Sequence, residues 1–207
     1  MARWSSAARA VAAFSARNPG AQVKLGFGSH AELRAGLLGN RLDFALSVQR
    51  GRDASARIRS TVLLRQTLVL VSSERPPRGA LDPDWIARSP IVDYYPSSPL
   101  IRRWLAHHFP RRRVAAPVRV WAATTDLALE LALLGVGAAV VPRSLAEPLL
   151  RAGRLHEIRG PKPELDDTVW LEESAGAWRL SWVISVPIAS RAAASAMSSS
   201  MTIERPG

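Results

Sequence analysis

The chain of 207 residues contains no cysteine. Disulfide bonds, thiolate metal sites and a cysteine nucleophile are therefore excluded, and the composition suits a reducing compartment. No apolar run approaches the 18 or so residues of a membrane-spanning helix. The first stretch, "MARWSSAARAVAAFSARNPG", does not qualify as a secretory signal, because Arg9 and Arg17 interrupt its apolar part. We therefore expect a cytoplasmic protein that does not contact a membrane.

Lysine is almost missing as well. The formal net charge is +11, yet only Lys24 and Lys162 are lysines among the 28 basic residues. Scattered arginine in an alanine-rich chain indicates codon bias rather than selection for phosphate contacts, and "RRR" at 111–113 is interpreted as a solvated loop. The charge predicts weak, salt-sensitive binding to polyanions, which identifies no function by itself.

The motifs of common enzyme classes are absent from the sequence. There is no Gly-x-Ser-x-Gly, no phosphate loop and no His-Glu-x-x-His. His107 and His108 are adjacent, so on a helix they point apart and cannot chelate one metal ion together. His30 and His156 have no acidic or nucleophilic partner nearby in sequence. We predict no catalytic residue, no metal site and no cofactor.

The first third of the chain alternates helix and strand patterns. Apolar spacing predicts a helix over Ser5–Arg17 that stops at "NPG", followed by a strand in "AQVKLGFG". Ser29 and Glu32 have the spacing of a capping box for the next helix, which ends at Gly39 and Asn40. The apolar run "RLDFALSV" is typical of a strand buried in a parallel sheet. This order predicts a doubly wound α/β protein.

The alternation continues through the rest of the chain. "TVLLRQTLVLVSS" is predicted as two short strands, and a strongly apolar helix begins at a threonine cap in "TTDLALELALLGVG". The low-complexity sequence after about residue 190 predicts disorder. Further strands are predicted in "IVDYYPS", "APVRVWA", "AAVVP", "RLHEI" and "DTVWLEE", and further helices in "DPDWIARSP", "PLIRRWLAHHF" and "RSLAEPLLRAG".

The two tyrosines of the chain, Tyr94 and Tyr95, lie side by side in "VDYYPSSPLIRRW", residues 92–104. Proline and serine are ordinary turn residues, so a strand end followed by a turn is one interpretation. The other interpretation is a stiff polar loop that lines a ligand cleft. The residues alone leave both interpretations open.

Three stretches in a fixed order resemble the effector-binding domain of LysR-type transcriptional regulators. They are "AAFSARNPGAQVKLGFGSHAELRAGLLGNRLDFAL", "LLRQTLVLVSSERP" and "ALLGVGAAVVPRSL", the last with the family's Gly-x-Gly-x-x-x-x-Pro signature. With "AGRL" after them, they cover roughly residues 5–173. "YPSSP" is most similar to the subgroup that controls degradation of aromatic compounds and responds to muconate-like or benzoate-like acids.

The resemblance implies a two-lobed, periplasmic-binding-protein-like (type II) fold, in which each lobe is a doubly wound sheet. Lobe I is expected to comprise residues 1–72 plus 168–207, and lobe II residues 73–167. Two crossing strands are expected near Val69–Ser72 and Thr168–Glu172.

The effector site is implied at the carboxyl ends of strands, where helix N-termini attract anions. Ser29 matches the hydroxyl at the start of a lobe I helix that holds a carboxylate. The stiff loop from Pro96 would face it from lobe II, beside the helix that begins at the threonines. The implied ligand-binding residues are Gly28, Ser29, His30, Pro96, Ser97, Ser98, Thr124 and Thr125.

Two parts of a LysR-type regulator are not recognisable in this sequence. One is the winged helix-turn-helix with its linker helix, and the other is the first strand of lobe I. We therefore expect a fragment or a shortened chain, and the resemblance fades after Glu173.

The expected function is that of a ligand-sensing domain for a small organic acid. Such a domain would form a homodimer or tetramer and would contact DNA only through a winged helix-turn-helix outside this sequence. A solute-binding protein of the same fold is one alternative, although it would need a secretion signal. A dehydratase-like enzyme is the other alternative, although no acid–base pair can be named for it.

Overall fold

The computed structural model describes residues 5–26, 28–48, 57–76, 81–94, 100–174 and 201–202. No helix in this part of the chain is both long and apolar enough to cross a bilayer. The helices are α1 (Ser5–Arg17), α2 (His30–Leu38), α3 (Pro83–Arg88), α4 (Leu100–His108), α5 (Thr125–Leu133) and α6 (Arg143–Arg151). The strands are β1 (Lys24–Leu25), β2 (Phe44–Ser47), β3 (Ile58–Ser72), β4 (Ile91–Tyr94), β5 (Val118–Ala122), β6 (Ala138–Pro142), β7 (His156–Ile158), β8 (Leu165–Ser174) and β9 (Met201–Thr202).

The predicted helix starts agree with the structure where a capping residue marks them. α1 has the predicted bounds, α2 begins directly after Ser29, and α5 begins directly after Thr124. At the end of α2, Asn40 rather than Gly39 takes the left-handed conformation, with φ of 54°. Asparagine tolerates this conformation better than most residues, which makes it a suitable helix terminator.

The prediction of two short strands in "TVLLRQTLVLVSS" is wrong. All of this stretch except Ser73 lies within β3, a single strand of 15 residues. Arg65 and Gln66 in its middle are polar, but no glycine or proline interrupts the backbone, so the extended conformation continues through them. One continuous strand therefore replaces the two short strands that its two apolar segments predict.

The chain divides into two compact units. Unit 1 comprises residues 1–65 and 168–207, and unit 2 comprises residues 66–167. The chain passes from unit 1 into unit 2 within β3 and returns within β8.

In unit 1, β2 pairs with β8 in antiparallel register, with Phe44 opposite Glu173. β2 is buried along its whole length, as its apolar sequence predicts, but its partner in the described part of the chain is antiparallel rather than parallel. β1 pairs with β9, so Met201 and Thr202 form a short strand within a tail predicted to be disordered. One cluster of buried apolar residues in the described part of this unit comprises Leu33, Leu37, Ala45 and Ile58.

In unit 2, a mixed sheet has the strand order β3-β6-β4-β5, and β7 pairs with β3. β4 is parallel to both β5 and β6, whereas β3 is antiparallel to β6. Parallel neighbours need a crossover connection, and α4 and α5 supply these crossovers. The carboxyl ends of β4 and β5 are therefore each followed by a helix start.

Helices cover both faces of the unit 2 sheet. Successive residues of a strand point to opposite faces, so Leu68 and Leu70 pack on one side and Val69 and Val71 on the other. The first face packs against α3 and α4 and buries Trp104 and Leu105, among others. The second face packs against α5 and α6, where Leu129 and Ala146 are buried. These two cores make unit 2 doubly wound.

The Gly-x-Gly signature has a packing reason in unit 2. Gly135 has φ of 79°, a conformation that other residues adopt only with strain. At Gly137 a Cβ atom would lie 2.5 Å from the carbonyl oxygen of Pro90, so only glycine fits. The close approach lets the Ala138 amide donate to that same carbonyl at 2.8 Å, which fixes the start of β6 against β4.

Candidate functional site

The start of α2 contains the first group of predicted site residues. The Ser29 hydroxyl accepts a hydrogen bond from the Glu32 amide at 3.3 Å, and the Glu32 carboxylate accepts one from the Ser29 amide at 2.6 Å. This reciprocal capping box satisfies two of the amides that every helix start leaves free. The Ser29 hydrogen bonds hold the pKa of the exposed Glu32 below its usual value. The helix start therefore already holds one carboxylate.

Gly28 and His30 flank Ser29 at this helix start. A Cβ atom on Gly28 would lie 3.4 Å from the Glu32 carboxylate, in ordinary contact. His30 is the first residue of α2, and its Nε2 atom lies 3.8 Å from the Glu172 carboxylate in β8. Both that nitrogen and the Glu172 Oε2 atom are buried without a hydrogen-bond partner. His30 therefore faces a buried acid, a contact that sequence reasoning did not foresee.

Glu172 itself is fully buried in unit 1. Its Oε1 atom accepts hydrogen bonds from Arg34 at 3.1 Å and from the Ser60 hydroxyl at 3.3 Å. A buried carboxylate of this kind needs a cationic partner, because its desolvation is otherwise too costly. The alternation "WLEE" predicts a strand, but it does not show which of the two glutamates points inward.

The start of α5 contains the second group of predicted residues. The Thr124 hydroxyl accepts a hydrogen bond from the Leu127 amide at 3.2 Å, so Thr124 caps the helix as the sequence predicts. Thr125 is the first helical residue and is buried. Trp121, three residues before the cap at the end of β5, is 44% exposed.

The remaining predicted residues, Pro96, Ser97 and Ser98, lie outside the described part of the chain. Their neighbours on both sides are described. Tyr94 ends β4, is half-buried and packs against the α4 side of the core. Leu100 begins α4 and is buried.

Asp93 is a polar residue that sequence reasoning missed. Its carboxylate is 98% buried and accepts hydrogen bonds from the amides of Tyr94 at 2.7 Å and Leu100 at 2.9 Å. The Ile101 amide approaches both carboxylate oxygens, at 3.3 and 3.4 Å. Burial raises the pKa of Asp93 to about 6, although these amides and Arg102 favour the ionised form. The sequence signal that could have identified Asp93 as a buried polar residue is its position as a lone aspartate inside the apolar strand "IVDY".

A second buried aspartate lies where the chain enters and leaves unit 2. Asp167 accepts hydrogen bonds from Arg103 at 2.7 Å and from Gln66 at 2.8 Å. Gln66 belongs to β3 and Asp167 to β8, and Arg103 joins both strands to α4. The cluster therefore connects α4 to the two strands that leave the unit.

A cavity of about 510 Å³ in unit 2 is lined by none of the predicted site residues that the structure describes. Its charges are largely paired, since Arg143 donates to Glu157 at 2.7 Å and also to Glu164, and Arg151 donates to Glu147 at 3.0 Å. We therefore do not assign the effector site to it. It is lined by Arg75, Pro76, Arg143, Glu147, Leu150, Arg151, Leu155, His156, Glu157 and Arg159.

The rings of His107 and His108 do not point apart as predicted, because they are in edge-to-face contact with their centroids 4.7 Å apart. The His107 Nε2 atom is 2.8 Å from the Pro163 carbonyl oxygen, whereas His108 is buried beside Trp104 and accepts a hydrogen bond from the Lys162 amide at 3.3 Å. Burial lowers the pKa of His108 to about 4, so this ring is neutral at physiological pH. His108 is a core residue.

These features define a class of protein. The combination is typical of α/β binding proteins. It comprises alternating strands and helices, a doubly wound unit 2, two strands that pass between the compact units, and capped helix starts that follow strands. Residues 4–176 match the LysR substrate binding domain family, and the chain therefore belongs to this family. The match confirms the predicted periplasmic-binding-protein-like (type II) fold class and the assignment to the effector-binding domain of LysR-type regulators. No curated protein matches the sequence.

Several solved structures share the fold. The C-terminal domains of a LysR family protein from Agrobacterium tumefaciens are 21% identical, with a TM-score of 0.69 over 90% of this chain and 89% of that chain. Full-length LysG from Corynebacterium glutamicum, with bound effector Arg, is 17% identical, with a TM-score of 0.66 over 98% of this chain and 65% of LysG. The bromide-bound regulatory domain of HypT from Salmonella typhimurium is 17% identical, with a TM-score of 0.59 over 75% and 73% of the two chains.

These similar structures are a regulatory domain, the C-terminal domains of a LysR family protein and a full-length LysR-type regulator. LysR-type regulators bind small-molecule effectors and act as oligomers. This chain spans about two thirds of full-length LysG.

Proposed function

We propose that this chain senses a small organic acid as the effector-binding domain of a LysR-type regulator and catalyses no reaction. The family match over residues 4–176 carries this proposal. The bromide in the HypT regulatory domain is a precedent for an anion in this fold.

The effector's carboxylate is proposed to bind at the start of α2, between Gly28 and His30. A helix start offers free amides and the positive end of the helix dipole to an anion. Because the Glu32 carboxylate already accepts from the Ser29 amide, the effector would replace Glu32 at that amide. The Ser29 hydroxyl would then be free to donate to the effector.

Two lobes are proposed, lobe I (1–72 plus 168–207) and lobe II (73–167); the compact units differ from them only in that residues 66–72 belong to unit 2. Lobe II would contact the same acid through Pro96, Ser97, Ser98, Thr124 and Thr125. An effector that contacts both lobes stabilises one closure angle, and only its difference in affinity between the open and closed states shifts the equilibrium.

The output is proposed to follow the family pattern. The chain would assemble as a homodimer or tetramer in the cytoplasm, and a winged helix-turn-helix outside this sequence would contact DNA. Closure of the lobes would alter the subunit contacts and thereby the position of the DNA-binding domains.

A thermal-shift screen tests the ligand class. Benzoate and cis,cis-muconate represent the aromatic-pathway acids suggested by "YPSSP", and arginine, acetate and glucose serve as comparison ligands. A ligand at 100 times its dissociation constant adds about 2.7 kcal/mol of stability, which raises the melting temperature by about 5–10 °C for a chain of this size. A rise with one organic acid is expected. No rise with any acid would contradict the proposal.

Ser29→Ala tests the site. Removing the hydroxyl should weaken binding of the acid about tenfold, the value of one hydrogen bond to a charged group, and loss of the cap should cost about 1 kcal/mol of stability. Ser89→Ala is the matched control, because the Ser89 hydroxyl bonds only locally, to the Trp85 carbonyl at 2.8 Å. Wild-type affinity in Ser29→Ala, measured by calorimetry, would show that the acid binds elsewhere.

A further inference from the structure

The Glu172 carboxylate lies beside the start of α2 and lacks one hydrogen-bond donor. Its Oε1 atom accepts from Arg34 and from the Ser60 hydroxyl, whereas its Oε2 atom has no partner within the described part of the chain. The His30 Nε2 atom lies 3.8 Å from Oε2 and is likewise buried and unpartnered there. Buried polar atoms without a partner cost free energy, so this pair needs an explanation.

One hydrogen atom on the His30 Nε2 atom would serve both atoms of the pair. A neutral imidazole carries its hydrogen on either Nδ1 or Nε2. With the hydrogen on Nδ1, two acceptors would face each other in a buried place. Water does not supply the missing donor, because both atoms are buried from solvent. Glu172 therefore favours the Nε2–H form of His30, and Nδ1 is the nitrogen that remains to take up a second proton.

The charges around His30 favour that second proton. On α2, Arg34 is the cationic partner of Glu172, at 3.1 Å, and Glu32 is a further acid. On the strand side, β2 places the uncharged Ala45 opposite Glu172 in register. Two acids and one cation thus lie near the start of α2, and a proton on His30 would balance them.

The next charged pair of unit 1 lies on the other face of β8. Successive residues of a strand point to opposite faces, so Glu173 points away from the side of Glu172. It accepts a hydrogen bond from Arg59 of β3 at 3.0 Å. This pair is therefore already balanced and does not compete for His30.

We propose that Glu172 is a positioning residue of the α2 site: it holds His30 in the Nε2–H form, so that His30 takes up a proton at Nδ1 when an organic acid binds beside Ser29. The positive ring then opposes the negative carboxylate of the acid. The proton comes from the solvent, since the His30 side chain is 23% exposed although its Nε2 atom is buried. This inference rests on the proposed function, because it assumes that the acid binds at the start of α2.

A neutral core histidine is the competing explanation, and His108 in unit 2 is an example of one. It accepts a hydrogen bond from the Lys162 amide, and the charged groups that act on it are basic. Burial, followed by His107 and Lys162, lowers the pKa of His108 to about 4. His30 differs because the group opposite its buried nitrogen is a carboxylate.

The pH dependence of binding tests the proposal, with benzoate and cis,cis-muconate as the probes in calorimetry from pH 6 to 8.5. Wild-type affinity should fall about tenfold over this range, because the acid binds the protonated ring and histidine loses its proton near neutral pH. His30→Gln should give a flat profile, since glutamine does not titrate. His107→Gln is the matched control and should keep the wild-type profile, because His107 contacts the Pro163 carbonyl in unit 2. A flat wild-type profile overturns the inference and leaves the proposed function intact.

Glu172→Gln separates the positioning role from the charge itself. The substitution keeps the shape of the side chain but removes a negative charge, which by itself would strengthen binding of an anion. We expect instead about fivefold weaker binding at pH 6.5, because His30 loses the acid that orients it and favours its protonation. Tighter binding, or an unchanged pH profile, overturns the inference.

Two other outcomes are decided as follows. If Glu172→Gln does not fold, nitrogen NMR of the wild-type His30 ring decides without any ligand. The Nε2–H tautomer is expected at pH 8.5, and the Nδ1–H tautomer overturns the inference. If neither acid binds wild type at any pH, the proposed function fails for these acids and the inference fails with it.

Discussion

The starts of α2 in unit 1 and α4 in unit 2 each hold a carboxylate, but the two arrangements differ in burial. Glu32 belongs to the helix it caps, is exposed, and has a lowered pKa because hydrogen bonds from Ser29 dominate. Asp93 comes from a neighbouring strand, is 98% buried, and has a pKa raised to about 6 because desolvation dominates. The same electrostatic role at a helix start therefore has opposite effects on the pKa, and burial decides the direction.

This difference suggests different roles. An exposed carboxylate on a local turn can leave its amide at small cost, so an incoming anion can replace it. A buried carboxylate that joins two elements cannot leave without unpairing several amides. We therefore expect the α2 start to exchange anions and the α4 start to be permanently occupied.

Among the variants at the two carboxylates, Asp93→Ala should lose more stability than any change at Glu32. It leaves the amides of Tyr94, Leu100 and Ile101 without their acceptor, which should cost about 2 kcal/mol of unfolding free energy. Urea unfolding at pH 5 measures this cost. A loss below about 0.5 kcal/mol would mean that water replaces the carboxylate as readily as it would at Glu32, and the comparison would fail.

The pH dependence of stability should have opposite signs at the two carboxylates. The pKa of Asp93 is raised in the folded state, so its stabilising contribution is present below about pH 4 and is lost as the pH rises through about 6. Glu32 has a lowered pKa, so its contribution is present at higher pH and is lost as the pH falls through its folded value. The free energy of unfolding of wild type, relative to that of Asp93→Asn, should therefore fall from pH 4 to 6. A relative stability that rises over this range contradicts the raised pKa of Asp93.

Glu32→Gln should have the smallest effect on stability. A glutamine can still accept the Ser29 amide, as in other capping boxes, so we expect a loss of at most about 0.5 kcal/mol. Binding of benzoate or cis,cis-muconate should nevertheless become severalfold tighter, because the competing negative charge is gone. Glu130→Gln, an exposed change in the middle of α5, is the control. Weaker binding by Glu32→Gln would show that the anion does not replace Glu32.

The helix starts were predictable because the signals are local. Ser29 and Glu32 lie three residues apart, and Thr124 precedes a strongly apolar helix, so the amides they bond lie within the same turn. The continuity of β3 was not predictable from its polar centre. Gln66 is accommodated there because Asp167, 101 residues away in sequence, accepts its side-chain hydrogen bond.

The residues of the candidate site likewise divide into those that the sequence predicted and those that it did not. Gly28, Ser29, His30, Thr124 and Thr125 were named from a motif order and a cap pattern that can be read directly along the chain. The contact between His30 and Glu172 could not be predicted from the sequence, because the two residues lie 142 positions apart in the chain. Asp93 was missed because a single aspartate in a strand does not show which amides will surround it.

The amino-acid sequence by itself determined the family, the alternation of helices and strands and the capped helix starts, since each depends on residues a few positions apart. The tertiary structure alone decided which carboxylates are buried and which basic or amide groups meet them. Burial sets the cost of a charge, and burial depends on how distant segments pack. For this protein burial separates Glu32, an exposed carboxylate with a lowered pKa, from Asp93, a buried carboxylate with a raised pKa.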